Sequence, residues 1–165
     1  MAEKKENKGN VMFGDIRAMF EGGMMGISSR TLDLAHAYKV VSFKTKLKNA
    51  YHEFNDRREQ LAKEAGIEDG NVFAKRMNEL AAKAQRTEAE EQEFKDLIAK
   101  NEKFNGLFDK LLEDYIDIEP KVMPYEEWRK LQEENKELKF GKFELLAQFE
   151  NALEGILWKA PEGVE

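Results

Sequence analysis

The sequence predicts an all-α or mostly α fold, with about five helices, one of them long, and one short extended or edge-strand segment. Apolar residues recur at spacings of three and four over most of the chain, which is the pattern of amphipathic helices. The composition agrees, because 36% of the residues are charged and 41% are hydrophobic, as in a helical protein with a charged surface. Residues 87–90, TEAE, form a capping box, the signal of a helix start.

The length and charge of the chain limit its organisation. At 165 residues it fits one domain, which we place at 11–160 between a disordered lead at 1–10 and a tail at 161–165. The net charge of −6 argues against general affinity for nucleic acid or for anionic membranes. The absence of cysteine excludes disulfides, thiolate nucleophiles and zinc-thiolate sites.

Neither a signal peptide nor a membrane span is predicted. Residues 11–27 are apolar, but Asp15, Arg17 and Glu21 interrupt every candidate core of a signal peptide. No window approaches the roughly 18 apolar residues that crossing a bilayer requires. We therefore expect a cytosolic protein without membrane partners.

The long helix should begin near Ser29 and end near Gly66, with Ser28 or Ser29 as its cap. Its apolar stripe comprises Val40, Phe43, Leu47, Ala50, Phe54 and Leu61. A shorter helix is predicted after the turn at Asp69 and Gly70, and a third begins at the capping box. The stripe of the third helix is rich in phenylalanine, so we expect it to pack against the long helix.

The period changes at 116–124, IDIEPKVMP, where two prolines and alternating residues predict an extended segment. Its expected strand partner is the apolar stretch at 11–13. A fourth helix should follow Pro124, with Trp128, Leu131 and Leu138 on its apolar face. A last helix after Gly141 should turn four apolar residues inward: Leu146, Phe149, Leu153 and Ile156.

Residues 21–37, EGGMMGISSRTLDLAHA, place glycines directly before the long helix, as in loops that hold phosphate. A P-loop also needs a preceding strand and a lysine followed by Ser or Thr, which this stretch lacks. The sequence therefore predicts a glycine hinge packed by apolar residues, and no phosphate cradle.

No catalytic or metal centre is predicted. Asp33 and His36 have the spacing used in carboxylate-bridged di-iron bundles, but Asn49 precedes His52 at the equivalent position, so the second pair is missing. The elbow motif of serine hydrolases is also missing. We expect His36 to be a helix-surface or partly buried histidine bonded to Asp33, and we expect no enzyme activity and no cofactor. A hydrolase or metalloenzyme is the third option, because a helical site can be assembled from scattered carboxylates that the sequence does not place together.

Two sets of residues are candidate contact sites. Four apolar side chains are predicted to bind a partner protein or a second copy: Met24, Met25, Ile27 and Trp158. The alternative is that they close the ends of the core. Five basic residues are candidate anion or phosphate contacts: Arg30, Lys39, Lys44, Lys46 and Lys48. The alternative is a solvated helix face.

Three stretches, taken in order, carry a resemblance to a known family. They are GISSR at 26–30, KFNGLFDKLLEDYIDIEP at 103–120 and FELLAQFENALEGILW at 143–158. In this order they resemble small helical proteins encoded among the structural and assembly genes of tailed phages and prophages. The resemblance implies a non-enzymatic assembly or virion-associated protein, in the host cytoplasm or the virion, whose partner is a phage structural or assembly protein or itself. The alternative function is a small nucleic-acid-binding or regulatory protein that uses the basic face of the long helix.

Overall fold

A computed structural model of the chain describes residues 9–163. The predicted fold class is confirmed: the described residues form seven α-helices, and every strand is only two or three residues long. The helices are α1 (Phe13–Glu21), α2 (Leu34–Glu64), α3 (Gly70–Ala82), α4 (Glu88–Glu113), α5 (Tyr125–Glu134), α6 (Leu145–Gln148) and α7 (Glu150–Leu153). The strands are β1 (Asn10–Met12), β2 (Tyr115–Asp117), β3 (Met123–Pro124), β4 (Lys139–Phe140), β5 (Phe143–Glu144) and β6 (Trp158–Lys159).

The chain divides into two compact units. Residues 1–53 and 114–165 form one of them, which we call the discontinuous unit, and residues 54–113 form the other, the helical unit. The division falls inside α2. The single domain predicted at 11–160 stays a prediction, and most of the predicted N-terminal lead lies outside the described residues. Asn10, its last residue, belongs to β1.

The strands of the discontinuous unit pair two by two. β1 and β2 are antiparallel, with Val11 opposite Ile116, so the expected pairing of 11–13 with the extended segment is confirmed. β3 and β6 pair in parallel. β4 and β5 form a hairpin whose turn contains Gly141 at a φ of 61°, a backbone conformation that favours glycine.

The core of the discontinuous unit is built from short elements. Trp128 is fully buried, stacks on Trp158 with the ring centroids 5.9 Å apart, and donates its indole N–H to Glu150. The four inward residues predicted for the last helix are all buried. The prediction of one continuous last helix is wrong, because the chain bends after α6 and continues as the one-turn helix α7.

The helical unit consists of the end of α2 together with α3 and α4. Asp69 caps α3 by accepting the N–H groups of Asn71 and Val72, and Thr87 accepts the N–H of Glu90 at the start of α4. Both predicted helix starts are therefore confirmed. Phe54 of α2 and Phe108 of α4 are in ring contact, with centroids 5.9 Å apart, as expected for the packing of the long helix on the third predicted one.

Candidate functional site

The glycine-rich loop before α2 does bind an anionic group, but that group is a carboxylate of the same chain. Oε1 of Glu134 accepts the backbone N–H groups of Arg30 at 2.7 Å and Thr31 at 3.2 Å, and also the hydroxyl of Ser28. Buried Asn135 accepts the N–H of Ser28 at 2.7 Å and donates to its carbonyl at 2.7 Å. The backbone N–H groups of this loop therefore donate to side chains at the end of α5, which occupy the positions that a phosphate would take.

The predicted partner-binding residues are core residues. Met24, Ile27 and Trp158 have exposed fractions of 0%, 2% and 6%, and Met25 is half-buried against the same core. Met24 lies in a short 3-10 helix, Met24–Gly26, which follows Gly23 at a φ of 98°. A buried side chain cannot reach a partner while the fold is intact, so the positions of Met24, Ile27 and Trp158 favour the alternative that they close the core. Partner binding by Met25 stays a prediction.

Three of the five candidate anion contacts hold backbone carbonyls instead. The ammonium of Lys39 donates to the carbonyl of Val122 at 2.9 Å, and that of Lys46 to the carbonyl of Glu119 at 2.9 Å. Lys44 donates to the carbonyl of Ile27. These bonds tie the first half of α2 to the loop at 27 and to the segment at 119–122. The side chains of Arg30 and Lys48 are exposed.

Helix α2 carries a second apolar stripe that faces solvent. Leu34, Tyr38 and Val41 are 88%, 61% and 55% exposed, at positions i, i+4 and i+7 of one helix face. We call these three residues the docking face. Residues three or four apart share a helix face. By this spacing, Val40, Phe43 and Leu47 form a buried stripe on the side of α2 opposite the docking face.

The surroundings of the docking face are basic. From residue 34 to residue 52 the chain contains no acidic residue, although its net charge is −6. Lys48 continues the same helix face one turn beyond Val41 and Thr45, and the ammonium of Lys121 lies 5.1 Å from the ring centroid of Tyr38. The face therefore combines exposed apolar side chains with a positive rim.

A cluster of possible metal ligands lies at the start of α2. Asp33, His36 and Glu127 each place one ligand atom within 4.8 Å of the others. Asp33 caps α2, since its Oδ1 accepts the backbone N–H of His36 at 3.0 Å. The predicted caps Ser28 and Ser29 are wrong, because they belong to the loop that binds α5. Sequence reasoning found Asp33 and His36 but missed Glu127, which no local spacing relates to them.

The electrostatics of this cluster are mixed. The hydrogen bond from the His36 backbone N–H, together with the charges of His36 and Lys130, lowers the pKa of Asp33. Lys130 binds Oε1 of Glu127 at 2.8 Å, and this bond raises the pKa of Lys130. Within the described residues Oε2 of Glu127 is buried and has no hydrogen-bond partner.

A cleft of about 250 Å³ contains Asp15 beside β1 and β2. Burial raises the pKa of the Asp15 carboxyl, a property often found in catalytic acids. The other described residues that line the cleft are Asn10, Val11, Met12, Tyr115, Asn151 and Ala152, and none of them is a histidine or a second carboxylate that could assist acid-base chemistry. The absence of enzyme activity stays a prediction.

Comparison of the chain with protein-family models, with curated proteins and with solved structures gives no match. Over the described residues, no helix has both the length and the apolar character that a membrane span requires.

Proposed function

We propose that this protein binds a partner protein through the docking face of α2, and that the partner presents an amphipathic helix with acidic flanks. The observation that carries the proposal is the exposure of Leu34, Tyr38 and Val41 along one helix face. Helices recognise partners through apolar anchors at this spacing. The positive rim of Lys48 and Lys121 favours a partner with acidic residues beside its apolar stripe.

A second copy of the chain fits this face less well than an acidic partner. In a two-fold dimer the same surface of each copy would meet, so that each Lys48 would approach the basic rim of the other copy. Like charges across an interface are unfavourable. We therefore assign the face to a different chain.

The bacteriophage setting belongs to the same proposal. It is supported by the resemblance at 26–30, 103–120 and 143–158, and in that setting the partner is a phage structural or assembly protein. The nucleic-acid alternative has less support, since Lys39, Lys44 and Lys46 already donate to backbone carbonyls.

Binding to two designed helical peptides tests the proposal. Both carry a leucine stripe, flanked by glutamates in one peptide and by lysines in the other, and affinity is measured by fluorescence anisotropy. We expect the glutamate peptide to bind at least about tenfold more tightly, and Leu34→Glu with Val41→Glu to abolish its binding. The double variant should fold normally, because exposed substitutions change stability little. Val72→Glu is the matched control, as Val72 is 66% exposed in the helical unit.

Four results would contradict this assignment. Equal affinity for the two peptides would remove the role of charge, and unchanged binding by the double variant would remove the docking face. A concentration-dependent dimer in sedimentation, abolished by the double variant, would make a second copy the occupant. Tight, steeply salt-dependent binding of duplex DNA that Lys48→Gln weakens would favour the alternative function.

A further inference from the structure

We propose that Asp33, His36 and Glu127 form a binding site for a divalent transition-metal ion, with Zn²⁺ as the best-fitting ion. The site is independent of the docking face, although Asp33 directly precedes Leu34 in the chain. Two carboxylates and one imidazole are a ligand set suited to zinc, leaving a fourth position for water.

The ligand atoms of the three residues lie close together. Oδ2 of Asp33 lies 3.8 Å from Nε2 of His36, and one ligand atom of Glu127 lies within 4.8 Å of both residues' ligand atoms. Tetrahedral zinc with bonds of about 2.1 Å holds its ligand atoms about 3.4 Å apart. Shifts of up to about 1.4 Å in the distances between ligand atoms would therefore bring the cluster to the spacing of a zinc site.

A buried oxygen of Glu127 also favours a cation at this cluster. Oε2 has no hydrogen-bond partner among the described residues, and an unsatisfied buried carboxylate oxygen is costly. A cation beside this atom would remove that cost.

The carboxylate of Asp33 is oriented from its other side. Oδ1 of Asp33 accepts the backbone N–H of His36, which leaves Oδ2 for the ion. Such outer contacts orient metal ligands in proteins. Glu127 differs, because Lys130 binds its Oε1 and competes with a cation for this carboxylate, while Oε2 is left for the ion.

Two lysines lie beside the proposed ligands and affect how strongly the site binds a cation. The ammonium of Lys39 lies 3.4 Å from Nδ1 of His36 and also donates to the carbonyl of Val122 at 2.9 Å. When Nε2 binds the ion, the remaining ring proton resides on Nδ1, and Lys39 then keeps only its bond to Val122. The side chain of Lys130 is 58% exposed, and its charge opposes a cation at the cluster. The proposal thus predicts that neutralising Lys130 strengthens metal binding.

Calorimetric titration of the untagged, chelator-treated full chain with ZnCl₂ tests the site. We expect one ion per chain, a loss of affinity of at least about tenfold in His36→Ala and in Glu127→Gln, and several-fold tighter binding in Lys130→Met. His52→Ala is the matched control, because His52 is the other histidine of the chain and is exposed on the same helix. Mg²⁺, which prefers oxygen ligands, should give no comparable heat.

Thermal melting in the presence of EDTA shows whether each variant is folded, and Lys130→Met keeps the test decisive if His36→Ala fails to fold. Absence of binding heat up to about 1 mM ZnCl₂ would overturn the proposal. Unchanged affinity in His36→Ala, weaker binding in Lys130→Met, or loss of binding in His52→Ala would also overturn it.

Discussion

The interactions that stabilise the inside of each unit differ between the helical unit and the discontinuous unit. In the helical unit the buried apolar side chains are Phe54, Ala65, Ile67, Leu80 and Leu111. The discontinuous unit buries a much larger apolar set, including both tryptophans and most of the leucines of α5 to α7. In the helical unit, ion pairs also join separate elements: Arg76 of α3 binds Glu93 of α4 through two bonds of 2.7 Å, and Arg86 binds Glu91 of α4 at 2.7 Å, whereas the pair of Lys130 with Glu127 lies within α5.

This difference predicts where stability resides. Burial of apolar area is the main stabilising term in folding, whereas exposed ion pairs contribute little and are weakened by salt. We therefore expect the discontinuous unit to be the more stable part, and the helical unit to respond more strongly to salt and acid.

The largest expected effect comes from Leu47→Asp compared with Phe108→Asp. Leu47 is fully buried in the discontinuous unit, so an aspartate there becomes an unpaired buried charge and should abolish cooperative folding. Phe108 is half-buried in the helical unit, and its substitution should be milder. Both tryptophans lie in the discontinuous unit, so their fluorescence during thermal melting reports on that unit alone.

A native-like tryptophan melt in Leu47→Asp would contradict the core assignment. Loss of the tryptophan transition in Phe108→Asp, with Leu47→Asp unaffected, would reverse the comparison between the units.

The next effect is the removal of the amide that joins α5 to the loop. Asn135→Leu deletes both hydrogen bonds to Ser28 and leaves the backbone N–H and carbonyl of Ser28 without these partners. We expect the free energy of unfolding to fall by about 1 to 3 kcal/mol. Urea unfolding followed by tryptophan fluorescence measures it. Asn105→Leu is the control, as Asn105 is exposed on α4. Equal stability of the two variants would show that the loop is not held by this amide.

Acid should loosen the helical unit first. Hydrogen bonds from Lys83, Arg86 and Arg76 lower the pKa values of Glu90, Glu91 and Glu93 respectively. A carboxylate with a lowered folded pKa stabilises the fold above its unfolded pKa, and this contribution disappears as the pH falls through the folded pKa. Protection of α3 and α4 in hydrogen exchange should therefore decrease below about pH 4.5, the usual value for glutamate.

Arg76→Met should reduce this sensitivity to acid, since it removes the partner of Glu93. Salt at about 1 M should mimic the variant by screening the pair. An equal decrease of protection in α1, where the pKa of Asp15 is raised, would contradict the assignment of acid sensitivity to the helical unit.

The smallest effect concerns Asp15 in the discontinuous unit. Burial raises the pKa of its carboxyl, so any stabilisation is present in the protonated form and is lost as the pH rises through the folded pKa. Asp15→Asn should raise the melting temperature slightly at pH 7 and leave it unchanged near pH 3. Asp109→Asn, an exposed substitution on α4, serves as the control. A lower melting temperature at pH 7 would mean that the ionised carboxyl is stabilised.

Local patterns predicted the elements of the fold well. The helix after the turn at Asp69 and Gly70, the capping box at Thr87, and the pairing of 11–13 with the extended segment could be predicted, because turn chemistry and period changes are short-range signals. Helix α1 was missed, because its apolar residues had been weighed as a signal peptide. The break between α6 and α7 was missed because a helical period persists through it.

The sites were less predictable, because they depend on contacts between distant residues. Glu127 reaches Asp33 and His36 only when α5 packs near the start of α2, and Glu134 fills the glycine-rich loop for the same reason. The docking face left a local signal that was overlooked: Leu34, Tyr38 and Val41 form a second stripe on α2. Its exposure follows from the fold, since one helix face meets the core and the opposite face does not.

The β1 and β2 pairing has a consequence for biosynthesis. Val11 can meet Ile116 only after roughly a hundred further residues have been translated, which takes about 5 to 20 s at about 5 to 20 residues per second. The helical unit, at 54–113, is contiguous and emerges in full during that interval. On the ribosome, the helical unit should therefore fold before the discontinuous unit, while the apolar N-terminal segment still lacks its strand partner.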